Sequence, residues 1–404
     1  MKIGQSVRLA AIVLLAAQSV GGQEPAADMP VTPNTRLFAR IERAVIAVHS
    51  IFGRPLHPII SGVAPGGSWG AGLGFDAPGR GPWDGSAKAI YTLNKYWVAE
   101  ASAGYYGRRA FFEGFGRGRD MTRLDFYGPG PNSVTATRSD FRLRDPVVGA
   151  QGKFRLLPWL ALGGRVEEMW PSVGSGQHDG VLGTEVRFTE AQAPGLSQQP
   201  RFGRYQGSVD LHLPAGAGDA FYQGTKSRVT YAIFDDQELE LFNFRRLDIE
   251  AQQVLASPIP HHRLTLSGWM STTMTDDGQD VPFYLQRTLG GKSEVRSVHE
   301  DRIGSDGTDA TLRGHRNLRF RDRHLMLLQA EYRLPLWGPI DATLFTDAGK
   351  VASTRDDLDF SDLRRDFGFS LSIMKGWATA ARMDVGFGSG QGTRIYFTIG
   401  ELTP

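Results

Sequence analysis

The feature that most constrains this chain is a two-residue hydrophobic period that recurs over most of residues 58–404. Phe367, Phe369, Leu371 and Ile373 alternate with Asp366, Gly368, Ser370 and Ser372. Trp377, Thr379, Ala381, Met383, Val385 and Phe387 alternate with Ala378, Ala380, Arg382, Asp384 and Gly386, and Ile395, Phe397 and Ile399 alternate with Arg394, Tyr396 and Thr398. Upstream, Leu160, Leu162, Gly164 and Val166 alternate with Ala161, Gly163, Arg165 and Glu167, as do Tyr205, Val209, Leu211 and Leu213 with Gln206, Ser208, Asp210 and His212. Successive side chains of a strand point to opposite faces, so each stretch reads as a strand that is apolar on one side. A soluble sandwich uses the same pattern, but over less chain. Here the polar side also carries charge, as at Arg382 with Asp384 and at Arg246 with Asp248 and Glu250. An apolar outside and a charged, wet inside suit a membrane barrel, whose strands cross in roughly 9–11 residues. Trp97, Trp159, Trp337 and Trp377 stand near strand ends, as interfacial girdles do. The expected fold is all-β: a transmembrane antiparallel β-barrel of about 16 strands. On this parity an arginine at Leu371 meets lipid and is costly, whereas one at Ser370 enters the lumen and is tolerated.

Residues 1–57 break the period. Lys2 and Arg8 flank an unbroken apolar run, Leu9 to Ala17, and Ser19, Gly21 and Gly22 offer small residues for cleavage. This is the pattern of a signal peptide over residues 1–22, and the run is shorter than the roughly 20 residues of a membrane helix. Residues 23–57 form an expected periplasmic segment with a short amphipathic helix. Thr32 before Pro33 suits its start, and Gly53 and Pro55 its end. Leu37, Ile41, Ala44, Val45, Val48, Ile51 and Phe52 share one side of the helical wheel, so the helix needs a surface to cover: its own barrel or a periplasmic partner. Residues 58–404 are then the barrel.

Composition removes several function classes. An exported chain without a single cysteine has no disulfide framework and no cysteine-ligated metal. The 45 basic and 43 acidic residues leave a charge of +2, without the basic patch that a nucleic-acid partner requires. Gly386-Phe387-Gly388-Ser389-Gly390 superficially suggests a phosphate loop, but no helix follows, and the glycines read as turn glycines. His261-His262 reads as a strand-end pair rather than a metal site. No zincin or nucleophile-elbow motif occurs. The expectation is no enzyme, no cofactor and no metal.

The residues that carry a mechanism lie between 310 and 350. Leu312-Arg313-Gly314-His315 is followed by Glu331, within QAEYRLPL, and by Phe345-Thr346-Asp347-Ala348-Gly349. Alternation sets Gln329, Glu331 and Arg333 inward on one strand, and Asp341, Thr343, Phe345, Asp347 and Gly349 inward on the next. Two carboxylates thus face one lumen from adjacent strands, and an arginine delivered there by a loop bonds one in two-pronged fashion while the other compensates its charge.

Over about 284–400 the sequence resembles the bacterial surface-antigen superfamily of outer-membrane barrels, the BamA/TamA-like family. Its members carry an Arg-Gly motif at the tip of a long sixth loop, and a Phe-x-Asp-x-Gly motif on a later strand. The resemblance implies that the loop folds back into the barrel and that Arg313, with Gly314, meets Glu331 and Asp347, flanked by Phe345 and Gly349. His315 departs from the aromatic residue usual at its position. Phe126 to Ser133 also looks like a turn of these barrels. POTRA domains precede the barrel in members that handle client proteins; residues 23–57 are too few for one, so a POTRA-less member is expected. The implied function is insertion or translocation of proteins or lipids at the outer membrane. The partners are outer-membrane lipids and, through the last strand, the barrel assembly machinery. A passive or gated channel for small solutes is the alternative, and a lipid-acting enzyme the third reading.

Overall fold

The computed structural model describes residues 55–79, 81–214, 224–257, 259, 261–291, 310–375, 378–388, 390 and 392–399. The expected signal peptide, the helix over 32–52, Trp377 and residues 401–404 lie outside them.

The chain forms β1 (Leu56–Ser61), β2 (Gly70–Asp76), β3 (Trp83–Thr92), β4 (Trp97–Tyr106), β5 (Ala110–Phe126), β6 (Ser139–Arg144), β7 (Val147–Leu157), β8 (Leu160–Met169), β9 (Ser172–Ser175) and β10 (Phe202–Pro214). It continues with β11 (Gly224–Asp236), β12 (Phe244–Ala256), β13 (Arg263–Thr275), β14 (Arg287–Leu289), β15 (Phe320–Asp322), β16 (His324–Trp337), β17 (Ile340–Ala352), β18 (Arg364–Lys375), β19 (Ala378–Gly388) and β20 (Gly392–Ile399). Eighteen strands share one sheet, and β14 and β15 form a separate two-stranded one. Of the eighteen, β6 and β9 pair with each other and β6 with the far end of β5, outside the main wall. Sixteen strands remain in the wall, as the alternation predicts. Each pairs antiparallel with the next wall strand along the chain, including β5 with β7, β8 with β10 and β13 with β16. The two end strands differ: β1 pairs with β2 and β20 with β19, and no pairing joins β1 to β20 among the described residues.

Antiparallel order sends connections alternately to two rims. The long connections 127–146, 170–201 and 276–323 all fall on one rim, and the tight turns 107–109, 158–159 and 338–339 on the other. This one-sidedness is the arrangement of outer-membrane barrels, with short periplasmic turns and long external loops. The connection 276–323 is the sixth on its rim. The long connections pack into a cap rather than waving in solvent. Phe126, Phe141, Phe283, Tyr96 and Leu318 make a shared apolar core there, and a short helix (Thr184–Arg187) packs against β6.

The wall follows the two-residue period. Leu344, Phe367 and Val166 point out, with 55%, 64% and 51% of their surface exposed, whereas Phe345, Asp347 and Glu167 point in and are buried. Trp83, Trp159 and Trp337 stand exposed at the short-turn rim and Trp97 at the long-loop rim. Inward charges pair across the wall. Glu167 accepts from Arg165 at 2.8 Å and from Arg204 at 3.0 Å, and Asp210 bridges Lys153 and Arg228. Pairing of this kind offsets the desolvation of each charge.

Candidate functional site

The sixth long-rim connection turns back into the lumen. Leu312 anchors it: the side chain is fully buried in a cluster with Trp269, Leu289, Phe320, Leu325, Leu327 and Val351. Burying a leucine contributes about 1.5–3 kcal/mol, and it leaves the next residue aimed at the wall. Arg313 is 1% exposed. Its Nε donates to Asp347 Oδ2 at 2.8 Å and its Nη2 to Asp347 Oδ1 at 2.6 Å, a two-pronged pair on one carboxylate. The Arg313 backbone N–H also donates to Asp347 Oδ2, at 3.2 Å. Nη1 donates to Glu331. The guanidinium lies 3.6 Å from the centre of the Phe345 ring, a cation–π contact in a site with little water.

All six residues singled out from the sequence meet here. Gly314 donates its N–H to Asp366 Oδ2 at 2.8 Å. A Cβ on Gly314 would stand 2.4 Å from Gly388 N, so the loop backbone rests directly on β19. Gly349 clears room for the other arm of the loop, since a Cβ there would lie 3.0 Å from Leu289.

The structure adds partners that the motif does not contain. Arg382 donates to Glu331 Oε1 at 3.0 Å and to Asp384 Oδ1 at 2.8 Å, and Asp384 lies 3.8 Å from Arg313 Nη1. Gln329 donates to Asp347 Oδ1 at 3.0 Å. Two arginines and three carboxylates thus form one network, in which each charge has opposite neighbours. Arg382 and Asp384 stand out in the sequence as charges of a wet lumen; nothing in their spacing ties them to Arg313. Two further readings change. Gly386 and Gly388 are not turn glycines. Both lie in β19, and Cβ atoms there would stand 2.5 Å from Arg313 O and 2.3 Å from Gly314 O. Of the three glycines Gly390 alone lies in the turn, at φ +71°, and Gly392 beyond it is left-handed as well, at +70°. Ser370 points inward as expected, but it is fully buried and donates to Asp384 Oδ1 at 2.6 Å, so the lumen has no room there for an arginine. His262 bonds the Tyr332 hydroxyl at 2.9 Å, a structural tie beside the left-handed His261.

His315 closes the loop tip. Its ring is buried, meets Phe320 edge-on at 5.3 Å, and neither ring nitrogen has a hydrogen-bond partner. It fills the place as an aromatic would. Burial, then Arg319, Arg364 and Arg394, push its pKa down to about 4, so it is neutral. The carbonyl of His315 accepts from Tyr396 on β20.

The arm at β14 has its own tie. Arg287 donates to Asp248 Oδ2 on β12 at 2.6 Å and to Ser271 Oγ on β13 at 3.2 Å, and covers the Trp269 ring at 5.2 Å. At the β15 arm, the turn over Phe126–Ser133 docks: Gly130 N–H donates to Arg321 O at 2.9 Å, and Arg319 to Ser133 Oγ at 2.7 Å.

No family model matches the sequence, and no curated protein matches it. Among solved structures, BamA from Haemophilus ducreyi lacking POTRA domains 1–3 is similar, with a TM-score of 0.54 at 11% identity over 97% of this chain and 81% of that one. CdiB from Acinetobacter baumannii is similar with a TM-score of 0.52 at 8% identity, over 85% of this chain and 59% of that one, less than two thirds of its length. At such identities the likeness is one of fold, and in fold this chain is a BamA-like β-barrel.

Proposed function

We propose that the chain resides in the bacterial outer membrane and takes part in inserting or translocating proteins or lipids there, with Arg313, Gly314, Glu331, Phe345, Asp347 and Gly349 serving as the lock that keeps the sixth loop inside the barrel. The observation that carries this reading is the buried pairing of Arg313 with Asp347 and Glu331. A loop held across the lumen leaves a poor path for passive diffusion. The absence of a β1–β20 pairing among the described residues leaves the wall itself as a place where cargo meets lipid. On this reading residues 1–22 are removed on export, residues 58–404 form the barrel, the last strand is read by assembly machinery, and the helix of residues 23–57 docks on the barrel or on a periplasmic partner.

The test uses the purified chain in two assays: conductance in planar bilayers, and folding of a second outer-membrane barrel into liposomes that contain it. Low steady conductance with faster client folding supports the proposal. Steady conductance with no effect on the client, unchanged by deleting residues 23–57, favours the solute channel.

A further inference from the structure

A cavity of about 390 Å³ opens at the long-loop rim, between the turn after β1 and the start of β20. It straddles the two strands that do not pair with each other: Pro65 and Gly66 line one side, Thr393 to Tyr396 the other. Four arginines line it, Arg123, Arg138, Arg316 and Arg394, against one acidic residue among the described ones, Asp125. That carboxylate is already engaged, by Arg138 Nε at 2.9 Å and by the Tyr127 hydroxyl at 3.1 Å. The guanidinium groups of Arg123 and Arg316 make no hydrogen bond or ion pair among the described residues, although both are half-buried. Asn94, also in the lining, gives its side-chain N–H to Gly66 O, and His178 turns its Nδ1 to Asp179 O. The surplus is therefore positive, and Arg394 contributes to the field that helps hold His315 neutral.

The position of the cavity adds a second constraint. Ile395 belongs to its lining and, with Phe397 two residues on, points out of the barrel, 56% and 41% exposed. The cavity thus touches both faces of β20, the inward one at Arg394 and Tyr396 and the outward, apolar one at Ile395. An amphipathic anion fits both, with its charge among the guanidinium groups and its tail on β20. Arginine suits phosphate best among common anions, since its planar fork matches two phosphate oxygens at once.

We propose that this cavity binds a phosphate group, and that its place at the β1–β20 rim makes it a site for the phosphorylated headgroup of an outer-leaflet lipid. The bound phosphate joins Arg123 on β5, Arg316 on the sixth loop and Arg394 on β20, and so fastens the rim where the wall lacks a strand pairing. Nothing in this depends on which cargo the barrel handles.

The full chain, purified in a maltoside detergent, is placed in phosphatidylcholine vesicles doped with phosphatidic acid or with oleic acid, and its unfolding midpoint is read by heat-modifiable gel migration. Separately, inorganic pyrophosphate is titrated in detergent. Phosphatidic acid is expected to raise the midpoint well above the oleic acid value. The double variant Arg123→Gln with Arg316→Gln should need roughly tenfold more phosphatidic acid for the same rise, the loss of about 1.4 kcal/mol. Neither guanidinium has a hydrogen-bond or ion-pair partner among the described residues, so this variant is expected to fold. Arg355→Gln with Arg365→Gln, on the same rim and of equal charge change, should respond as the unaltered chain does. Stabilisation by pyrophosphate that the double variant abolishes, with no preference for phosphatidic acid over oleic acid, keeps the phosphate site and removes the lipid as its source. Equal responses to every anion, or a double variant indistinguishable from the unaltered chain, overturn the proposal.

Discussion

Two parts of the lumen carry nearly the same chemistry and differ in what they hold. On β7, β8, β10 and β11, Glu167 is shared by Arg165 and Arg204, and Asp210 by Lys153 and Arg228. Each of these partners belongs to the wall. On β16 to β19, Glu331, Asp347 and Asp384 surround Arg382 and Arg313, and Arg313 arrives from a loop. Charge content does not separate the two regions; connectivity does. A network closed within the wall ties neighbouring strands that backbone hydrogen bonds already join. A network completed by a loop residue fixes a segment that the sheet does not hold at all.

The sharpest break of this contrast is Arg313→Ala. It leaves Asp347 without its two-pronged cation and Glu331 with Arg382 alone, and breaking a buried pair from one side costs about 3–5 kcal/mol. The unfolding midpoint should fall and the loop should become open to protease in the folded barrel. Arg313→Lys should rescue poorly, because an ammonium cannot reproduce the two-pronged pairing. Glu167→Gln, in the wall network, should lower stability yet leave the loop as resistant as before. If both variants expose the loop equally, the distinction between the two regions is lost.

Arg287→Ala comes next. It removes the tie of the β14 arm to Asp248, and a hydrogen bond to a charged group is worth about 1.5–3 kcal/mol. Cleavage should appear near the β14 arm while the Arg313 tip stays protected, which fragment masses would reveal. Gly388→Ala leaves every charge in place and inserts a methyl where the Gly314 carbonyl sits, for about 1–3 kcal/mol of overpacking. It should loosen the loop without altering the wall network, as native-state hydrogen exchange would read.

The smallest effect at neutral pH belongs to His315→Phe. The imidazole acts as an aromatic wedge, so stability near pH 7 should hardly change. In acid the two differ. The folded pKa of His315, about 4, lies below the ordinary value of 6.5, so the unfolded chain takes up the proton first. The stabilisation is complete above about pH 6.5 and is lost as pH falls from there toward 4. His315→Phe should flatten that part of the pH–stability profile; an unchanged slope between pH 6.5 and 4 would assign the acid sensitivity to other groups.

How much of this was legible in the sequence depends on the range of the interaction. The two-residue period gave the wall, its strand number and the inward face of Phe345 and Asp347, because it reports side-chain direction at every residue. The motif led to Arg313. Crowding was not legible. Ser370 reads as a lumen residue and is one, yet it is fully buried against Asp384; Ser370→Arg is expected to disrupt the barrel as Leu371→Arg does, for the opposite reason. Leu325 and Leu327 face inward against the expectation of a wet lumen, and their neighbours Leu289, Leu312 and Phe320 come from the loop that fills it. The cap core of Phe126, Phe141 and Phe283 has no periodic signature, since its residues come from β5, β6 and a connection that meet only in the fold.

The seat of the loop tip on Gly386 and Gly388 also orders events in time. Arg313 precedes every strand of its network, and the surface on which its loop rests is the last strand but one. The pairing of Arg313 with Glu331 and Asp347 needs only β16 and β17, but the seat of the tip on Gly386 and Gly388 cannot form until β19 has joined the sheet. Contacts that form this late are absent from the folding transition state, so their loss is felt on the way out rather than on the way in. Weakening that seat should therefore leave the rate of barrel assembly nearly unchanged and shorten the lifetime of the finished barrel.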